Sequence, residues 1–200
     1  LAPRLASALK PGQFVNIRVP GDSSELLRIP LSYVSSDAEA GTVELWYAVV
    51  GNATRRMSAW EPGFKSDLLG PGGHGWSAPE GCRRALVVGG GIGVPPVLCL
   101  ARELASAGVR VDACFGAASG DKLVGVREFE DLGCGEVRIA TDDGTAGFAG
   151  FVTEPASELL ASCAYDYVAT CGPSIMMSKV AEAASSAGVF CEASLERMMS

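Results

Sequence analysis

A glycine-rich run in the middle of the chain has the composition of a phosphate-binding turn. Valines and glycines at Val87–Gly91 lead into Ile92–Pro96, where two prolines open a helical pattern. Glycine lets the backbone approach a pyrophosphate closely, and a helix N-terminus offers free N–H groups and a positive dipole end. The spacing is not the G-x-G-x-x-G of dehydrogenases, so a tight turn without a ligand stays open as the alternative. The candidate dinucleotide-binding residues are Gly89, Gly90, Gly91, Ile92, Gly93 and Val94.

Two further segments each follow a predicted strand, and the carboxyl ends of parallel strands are where open α/β sheets bind ligands. In Thr141–Gly147, Asp142 and Asp143 could accept hydrogen bonds from ribose hydroxyls, although Asp-Gly is also an ordinary turn signal. In Cys171-Gly172-Pro173, taken alone, the cysteine is better explained as a small buried apolar side chain. Neither segment by itself decides between binding and structure.

A third candidate combines a glycine, a hydroxyl and two arginines. Gly51–Arg56 could present backbone N–H groups, the Thr54 hydroxyl and two guanidinium groups to a phosphate. A helix cap with solvated arginines explains the same residues equally well. His74 is the single histidine, so neither a metal site nor a histidine-based triad is expected.

These candidates fall in two halves with different hydrophobic patterns. The first half has short runs rich in β-branched and aromatic residues, which predicts an antiparallel β-barrel. Its predicted strands are Gln13–Val19, Leu27–Ser35 and Thr42–Val50, with a short helix at Ala53–Trp60. The segment 70–79, rich in glycine and proline, is expected to be neither strand nor helix. We place the domain boundary there, giving domains 1–79 and 80–200.

The second half alternates apolar strands with helices, which predicts a doubly wound domain around a five-stranded parallel sheet. The predicted strands are Ala85–Val88, Arg110–Phe115, Glu136–Ala140, Tyr165–Thr170 and Val189–Ala193. A period of 3.6 residues predicts the buried faces of two helices. These faces are Val97, Leu100, Ala101 and Leu104, and then Met176, Val180, Ala183, Ala184 and Ala187.

The overall composition is that of a globular protein, with 48% hydrophobic and 20% charged residues. A net charge of -7 with only 16 Lys and Arg argues against a nucleic-acid partner. Seven cysteines without a C-x-x-C pair spell out neither a zinc nor an iron–sulfur site, and indicate reduced thiols. The longest uncharged run, Ala85–Ala101, is short for a membrane span, and no signal peptide is visible. The expected location is cytoplasmic.

Taken in order, these motifs resemble the ferredoxin-NADP reductase superfamily, and within it the electron-transfer subunits of bacterial dihydroorotate dehydrogenases. Four segments carry the resemblance: Gly91–Pro96, Thr141–Gly144, Cys171–Pro173 and Ser194–Met198. It implies a barrel that binds FAD, a second domain that binds NADH, and hydride transfer from nicotinamide to flavin. Single electrons would then pass through a [2Fe–2S] cluster to an FMN-containing dihydroorotate dehydrogenase catalytic subunit. The expected assembly is a heterotetramer that acts in pyrimidine biosynthesis.

The resemblance also implies roles for individual residues. The family's Arg-Pro-x-Ser flavin segment aligns with Ile29–Ser32, so Arg28 could replace the arginine only if the chain bulges before Pro30. Cys171 would line the nicotinamide pocket and Glu196 would lie near the flavin. The implied flavin-binding residues are Arg28, Pro30, Leu31, Ser32, Tyr33, Gly51, Ala53 and Thr54, and the nucleotide-binding residues include Asp142, Asp143, Gly172 and Pro173.

Nucleotide choice and the final acceptor are the finer expectations. Family members that use NADPH carry basic residues after the second strand of the nucleotide domain, where Gly116–Lys122 has only Lys122, so NADH is expected. The family's C-terminal [2Fe–2S] segment is absent from this chain, so the cluster is expected in the complete protein with no ligands here. The alternatives are a reductase for an oxygenase, a sulfite reductase or a ferredoxin, and a non-catalytic docking subunit.

Overall fold

The computed structural model describes residues 1–20 and 27–195. The chain divides into two compact units, Leu1–Gly75 and Trp76–Ser200. The division falls inside the segment 70–79, a few residues before the boundary that the sequence predicts. Each unit contains its own sheet.

The first unit is built on an antiparallel sheet with the strand order β3-β2-β1-β4. Its elements are α1 (Pro3–Ala6), β1 (Phe14–Ile17), β2 (Ile29–Asp37), β3 (Thr42–Leu45), α2 (Asn52–Met57) and β4 (Leu68–Gly72). The side chains of Ile17, Val19 and Met57 form a small buried core, against which Ile29 and Leu31 of β2 pack. The antiparallel β unit that the sequence predicts is confirmed.

Strand β4 contradicts the expectation that the whole segment 70–79 would be irregular. Leu68–Gly72 pairs with β1 although it contains Gly70 and Pro71. Proline lacks a backbone donor, but β4 is an edge strand among the described residues, where one side of the strand needs no hydrogen-bond partner. Glycine and proline usually interrupt strands, which is why the composition predicted an irregular segment. An edge strand tolerates both residues, and composition does not reveal that a strand lies at an edge.

The second unit is built on a six-stranded parallel sheet with the order β10-β9-β5-β6-β7-β8. Its strands are β5 (Arg84–Gly90), β6 (Arg110–Ala117), β7 (Val137–Thr141), β8 (Phe148–Ala149), β9 (Tyr167–Cys171) and β10 (Phe190–Ala193). Its helices are α3 (Val94–Ser106), α4 (Val126–Glu130), α5 (Thr153–Ser162) and α6 (Ser174–Ser186). The five predicted strands are all present, whereas the two-residue strand β8 is too short to produce a sequence pattern.

Helices cover both faces of this sheet, as the sequence predicts for a doubly wound domain. Leu86 and Val88 of β5 pack in a core with residues of α5 and α6, including Leu159 and Val180. The opposite face of β5, which includes Gly89, packs against α3. A Cβ on Gly89 would lie 2.9 Å from a methyl carbon of Val94, in the first turn of that helix. Alternate residues of a strand point to opposite faces, so β5 is covered on both sides.

The two predicted helical faces are largely confirmed. Val97, Leu100, Ala101 and Leu104 of α3 are all buried. On α6, Met176, Val180 and Ala184 are buried and Ala183 is partly buried, whereas Ala187 is exposed just beyond the end of the helix. Among the described residues, none of the helices has the length and apolar character required to span a bilayer.

Candidate functional site

The glycine-rich turn joins the central strand β5 to α3. Gly91–Gly93 forms a single 3₁₀ turn between these elements. A Cβ on Gly93 would lie 2.6 Å from the carbonyl carbon of Cys171 and 2.7 Å from the backbone nitrogen of Gly172. Glycine is therefore required at position 93 because the turn after β5 packs directly on the turn after β9. Packing between the two turns is therefore enough to explain Gly93, without a ligand.

Gly91 differs from its neighbours in facing open space. Its φ of +54° lies in the left-handed region, and a Cβ there would meet no other heavy atom within 4 Å. Ile92 beside it is 50% exposed. Packing explains Gly93, but it leaves the open backbone at Gly91 unexplained. This stretch can approach a phosphate group without a side chain in the way.

The first turn of α3 offers fewer donors than the sequence analysis expects. Pro95 and Pro96 have no backbone N–H, and the N–H of Val94 donates to the carbonyl of Gly91. The free N–H groups of a helix N-terminus are therefore missing at residues 94–96. Any pyrophosphate at this turn would depend on the backbone of Gly90–Gly93 rather than on the helix end itself.

Cys171 and the two residues after it lie at the same edge of the sheet. Cys171 is the last residue of β9, is partly buried, and pairs in register with Gly89 of β5. Pro173 directly precedes α6, a helix of 13 residues whose first N–H groups lack intrahelical partners. The structure thus brings together two predicted segments that are about 80 residues apart in the sequence.

The two predicted ribose-binding carboxylates have different environments. The Oδ1 atom of Asp143 accepts hydrogen bonds from the backbone N–H and the hydroxyl of Thr145, at 3.0 and 2.6 Å. These bonds hold the pKa of Asp143 below its ordinary value. Asp142 is exposed, and its side chain makes no hydrogen bond to another residue of the described chain. Only Asp142 therefore presents an uncommitted carboxylate.

The loop after β7 is joined to the loop after β6. The backbone N–H groups of Asp142 and Asp143 donate to the carbonyls of Ala117 and Ala118, at 3.1 and 3.2 Å. The N–H of Gly120 donates to the hydroxyl oxygen of Thr145 at 2.8 Å. Sequence reasoning missed Thr145, although a threonine two residues after an aspartate is a recognisable local turn signal.

The implied flavin-binding residues of β2 point to two sides of the strand. Leu31 packs against the small core of the first unit and Tyr33 is buried. Pro30 is exposed and Ser32 is partly buried, and the Ser32 hydroxyl makes no hydrogen bond to a described residue. Because alternate strand residues share a face, Pro30 and Ser32 are the pair that can meet a ligand with their side chains.

Arg28 is held by another residue of the first unit. Its guanidinium donates to the carbonyl oxygen of Asp67 at 3.0 Å and forms an ion pair with the Asp67 carboxylate. The pairing of β2 with β1 is regular from Ile29 to Ser32, so no bulge occurs there to turn Arg28 toward the family's arginine position. Arg28 itself precedes β2, and its contact with Asp67 is the position that the structure gives it.

The hydroxyl of Thr54 is already used within its own helix turn. It accepts hydrogen bonds from the N–H groups of Val50 and Gly51, both at 3.1 Å, and donates to the Gly51 carbonyl at 3.2 Å. Ala53 packs on the core of the unit. The structural role of Thr54 is therefore clear, and a diphosphate contact at this turn would fall to backbone groups.

One predicted site residue cannot be placed on the structure. Glu196 lies outside the described residues, as does most of Ser194–Met198. Among the described residues, His, Cys, Asp and Glu side chains form no group of three that could hold a metal ion.

No protein-family model matches the chain. Individual relatives do match it. One is a dihydroorotate dehydrogenase B (NAD(+)) electron transfer subunit of Geobacillus thermodenitrificans, 41% identical over 181 residues, which covers 89% of this chain and 68% of the relative. The subunit of the same name from Desulforamulus reducens is 36% identical over 200 residues, which covers 99% of this chain and 75% of the relative. A third, from Shouchella clausii, is 40% identical, with 84% of this chain and 64% of the relative covered.

Solved structures of reductases also match the chain. An NADH-dependent reduced ferredoxin-NADP oxidoreductase superposes with a TM-score of 0.87 at 31% identity, covering 99% of this chain and 70% of that chain. A cytochrome P450 reductase from Amycolatopsis matches with a TM-score of 0.75 at 20% identity, covering 92% and 61%, which shows a shared fold. The chain spans about two thirds of the length of its curated relatives. With relatives this similar over most of its length, the chain belongs to the family of dihydroorotate dehydrogenase B (NAD(+)) electron transfer subunits, oxidoreductases with the ferredoxin-reductase fold.

Proposed function

We propose that the chain is the FAD- and NADH-binding part of an electron carrier that delivers single electrons to a dihydroorotate dehydrogenase catalytic subunit. The observation that carries the proposal is the 41% identity to a dihydroorotate dehydrogenase B electron transfer subunit, joined to an open glycine turn at the carboxyl edge of the parallel sheet. Family membership supports the reaction class, and the open turn supports a nucleotide site at this edge of the sheet.

The residues at the carboxyl edge fit a dinucleotide. Gly91 leaves its backbone open, which suits the approach of a pyrophosphate. The exposed carboxylate of Asp142 suits the hydroxyls of a ribose, because a carboxylate only accepts hydrogen bonds and a ribose hydroxyl can donate one. A 2′-phosphate would instead meet negative charge at Asp142, with Lys122 as the one basic residue of 116–122. We therefore propose NADH as the donor.

The first unit offers a face for FAD that is smaller than the resemblance implied. Pro30 and Ser32 present one ring and one uncommitted hydroxyl on one side of β2, and Arg28, just before the strand, is paired with Asp67. Leu31, Tyr33 and Ala53 act by shaping the core beneath. The N–H of Gly51 is committed to Thr54, so the backbone N–H groups in the first turn of α2, including that of Ala53, are the donors near a diphosphate. These residues fit the cofactor without direct help from the Thr54 hydroxyl.

The proposed reaction requires the protein to bind and orient FAD and NADH, and it does not require the protein to transfer a proton. FAD, when bound, accepts a hydride and releases electrons singly. The chain's residues position the two cofactors and exclude water, so no general base is needed. Cys171 contributes a partly buried thiol at the end of β9, where we assign it to the wall of the nicotinamide site. Glu196 is assigned to the flavin side by resemblance alone.

The acceptor and setting complete the proposal. Electrons would leave through a [2Fe–2S] cluster in the complete protein to an FMN-containing dihydroorotate dehydrogenase subunit. The proposed assembly is a cytoplasmic heterotetramer acting in pyrimidine biosynthesis. The names of the curated relatives support the dehydrogenase partner.

The direct test is reduction of bound flavin by NADH. The full chain is saturated with FAD, mixed anaerobically with NADH or NADPH, and followed by the loss of flavin absorbance. The expected result is a yellow protein that NADH bleaches with a higher kcat/KM than NADPH. A chain that stays colourless after incubation with FAD would instead support a non-catalytic docking role.

A second candidate is a reductase for a ferredoxin. The 31% identity and TM-score of 0.87 with an NADH-dependent reduced ferredoxin-NADP oxidoreductase favour it. The partner that copurifies with the native protein separates the two candidates. A copurifying flavoprotein that oxidises dihydroorotate supports the first, and a ferredoxin partner supports the second.

A further inference from the structure

A single hydroxyl joins two loops at the carboxyl edge of the parallel sheet. The Oγ1 atom of Thr145 donates to Asp143 at 2.6 Å and accepts from the N–H of Gly120 at 2.8 Å. Gly120 opens the short 3₁₀ turn Gly120–Lys122, in the loop that follows β6. We call the chain of contacts from Asp143 through Thr145 to Gly120 the loop bridge.

The loop after β7 is also ordered from within. The hydroxyl of Thr141 donates to the carbonyl of Ala146 at 2.8 Å and accepts from its N–H at 3.0 Å. Thr141 is fully buried, so this end of the loop is fixed to the sheet. The exposed end, which carries Asp142, is held by the loop bridge and by two backbone bonds to residues 117 and 118.

The loop bridge separates the roles of two adjacent carboxylates. Asp143 is committed to Thr145 through two hydrogen bonds, which also lower its pKa and keep it ionised. Asp142 has no such commitment among the described residues. A carboxylate that accepts hydrogen bonds from a ligand binds more tightly when it has no competing partner in the protein. Binding is also tighter when the loop that carries the carboxylate is already ordered, because less conformational entropy is lost.

We propose that Asp143 and Thr145 are positioning residues that hold Asp142 and the turn Gly120–Lys122 together for the adenosine ribose, and that Asp142 alone contacts the ribose. This inference rests on the proposed binding of NADH. It assigns to Thr145 a role in nucleotide affinity, and it removes Asp143 from direct contact with the nucleotide.

The same arrangement explains how two loops can select one nucleotide. Ser119 donates a hydrogen bond to the Asp121 carboxylate, so the loop after β6 carries an oriented acid of its own. The loop bridge keeps this acid near the loop of Asp142. A hydroxyl at the ribose 2′ position can donate to Asp142, whereas a phosphate there would be repelled by the negative charge of both acids.

The test uses substitutions that cut the loop bridge without removing either carboxylate. In the full chain, Thr145→Val removes the hydroxyl at nearly constant volume, and Thr145→Ser restores it. Thr42→Val is the matched control, because Thr42 is an exposed strand residue of the first unit. Affinity for ADP-ribose is measured by calorimetry, and exchange of the Gly120 amide hydrogen is measured by NMR.

Thr145→Val is expected to weaken ADP-ribose binding about tenfold, as expected for loss of a hydrogen bond to a charged group. It should also speed exchange of the Gly120 amide. Thr145→Ser should recover most of both properties, and Thr42→Val should leave both unchanged. Faster exchange at Gly120 with unchanged ADP-ribose affinity would overturn the inference, since the bridge would then be purely structural.

Asp143→Asn provides a second decision. Its amide oxygen can still accept both bonds from Thr145, so a positioning role predicts affinity within about twofold of the original. A loss as large as that of Asp142→Asn would mean that Asp143 contacts the ligand directly, and would overturn the assignment. Wild-type protein that fails to bind ADP-ribose at all would instead overturn the proposed NADH function, and this inference with it.

Discussion

Cys171 shows how one residue can have a structural and a chemical explanation together. Its backbone carbonyl is the group against which Gly93 packs, and its position in register with Gly89 places it beside the glycine turn. The sequence alone favours a small buried apolar side chain at this position, and the thiol is partly buried in the structure. The thiol also ends a strand at the edge where a nucleotide is proposed to bind, so its side chain has a candidate role of its own.

Replacement of this thiol tests that role. Cys171→Ala is expected to slow reduction of bound flavin by NADH about tenfold while FAD stays bound, because the nicotinamide loses one wall that orients it. Stopped-flow absorbance in a single turnover measures the rate. The control is Cys82→Ala, at a partly buried thiol before β5. Equal single-turnover rates in Cys171→Ala and the unchanged protein would contradict the assignment.

At the scale of elements, the site depends on two strand-to-helix turns that fit into each other. The turn after β5 and the turn after β9 approach each other closely. At Gly93, backbone atoms of the second turn leave no room for a Cβ, and at Gly172 a Cβ would lie 3.0 Å from the backbone nitrogen of Gly90. Neighbouring parallel strands bring both turns to one edge of the sheet. The glycines thus serve two purposes, since Gly93 permits the packing and Gly91 leaves the backbone open to a ligand.

A methyl group at each glycine separates these purposes. Gly93→Ala is expected to destabilise the second unit by about 1–3 kcal/mol, because its Cβ would overlap fixed backbone atoms. It should also weaken NADH binding by displacing the turn. Gly91→Ala meets no neighbouring atom, so only the left-handed backbone costs free energy, about 1–2 kcal/mol.

Chemical denaturation of both variants measures the free energy of unfolding, and titration with NADH measures the affinity for the nucleotide. The expected order is a larger loss of folding free energy in Gly93→Ala than in Gly91→Ala. If Gly93→Ala folded as stably as the unchanged chain, the two turns would not pack as tightly as the structure shows.

At the scale of the whole molecule, the second unit is tied together at the end of the sheet away from the candidate site. Asp112 is fully buried, and its carboxylate accepts hydrogen bonds from the Arg84 guanidinium, the Tyr165 hydroxyl and the Glu136 N–H. Burial alone would raise the pKa of Asp112, but these bonds outweigh it and hold the pKa below the ordinary 3.8. One carboxylate therefore links segments that precede or form four parallel strands.

Removing this carboxylate should destabilise the second unit strongly. Asp112→Ala leaves the buried donors unpaired and is expected to cost about 3–5 kcal/mol. Glu158→Ala is the control, since its ion pair with Arg138 is exposed and should contribute little. Hydrogen exchange of β5 and β6 amides measures the loss within the second unit, and β1 amides of the first unit provide an internal reference.

Acid should have the same effect in the unchanged protein. Because the folded-state pKa is lowered, the ionised carboxylate stabilises the fold above about pH 4, and this contribution is lost as the pH falls through the folded-state pKa. Asp112→Ala should therefore flatten the acid dependence of the same amides. An unchanged acid dependence in the variant would show that other carboxylates govern it.

The sequence by itself determined the two-part architecture and the family. Alternating apolar runs and a 3.6-residue period specify strands and the faces of α3 and α6, because burial of apolar surface is read from local patterns. The motifs around Gly91, Asp142 and Cys171 indicated the superfamily because each is a short contiguous segment and their order along the chain is visible in the sequence. A two-residue strand such as Phe148–Ala149, and an edge strand through Gly70-Pro71, leave no such local pattern.

The tertiary structure alone decided which candidate side chains are uncommitted. Three interactions commit candidate side chains to other residues. Thr54 caps its own helix turn, the loop bridge joins Thr145 to Gly120, 25 positions away, and Arg28 pairs with Asp67, 39 positions away. Hydrogen bonds form between groups that the fold brings within about 3 Å, whatever their separation along the chain. Residue type showed that Asp142 and Asp143 could bind a ribose, and only their neighbours in space showed that they differ.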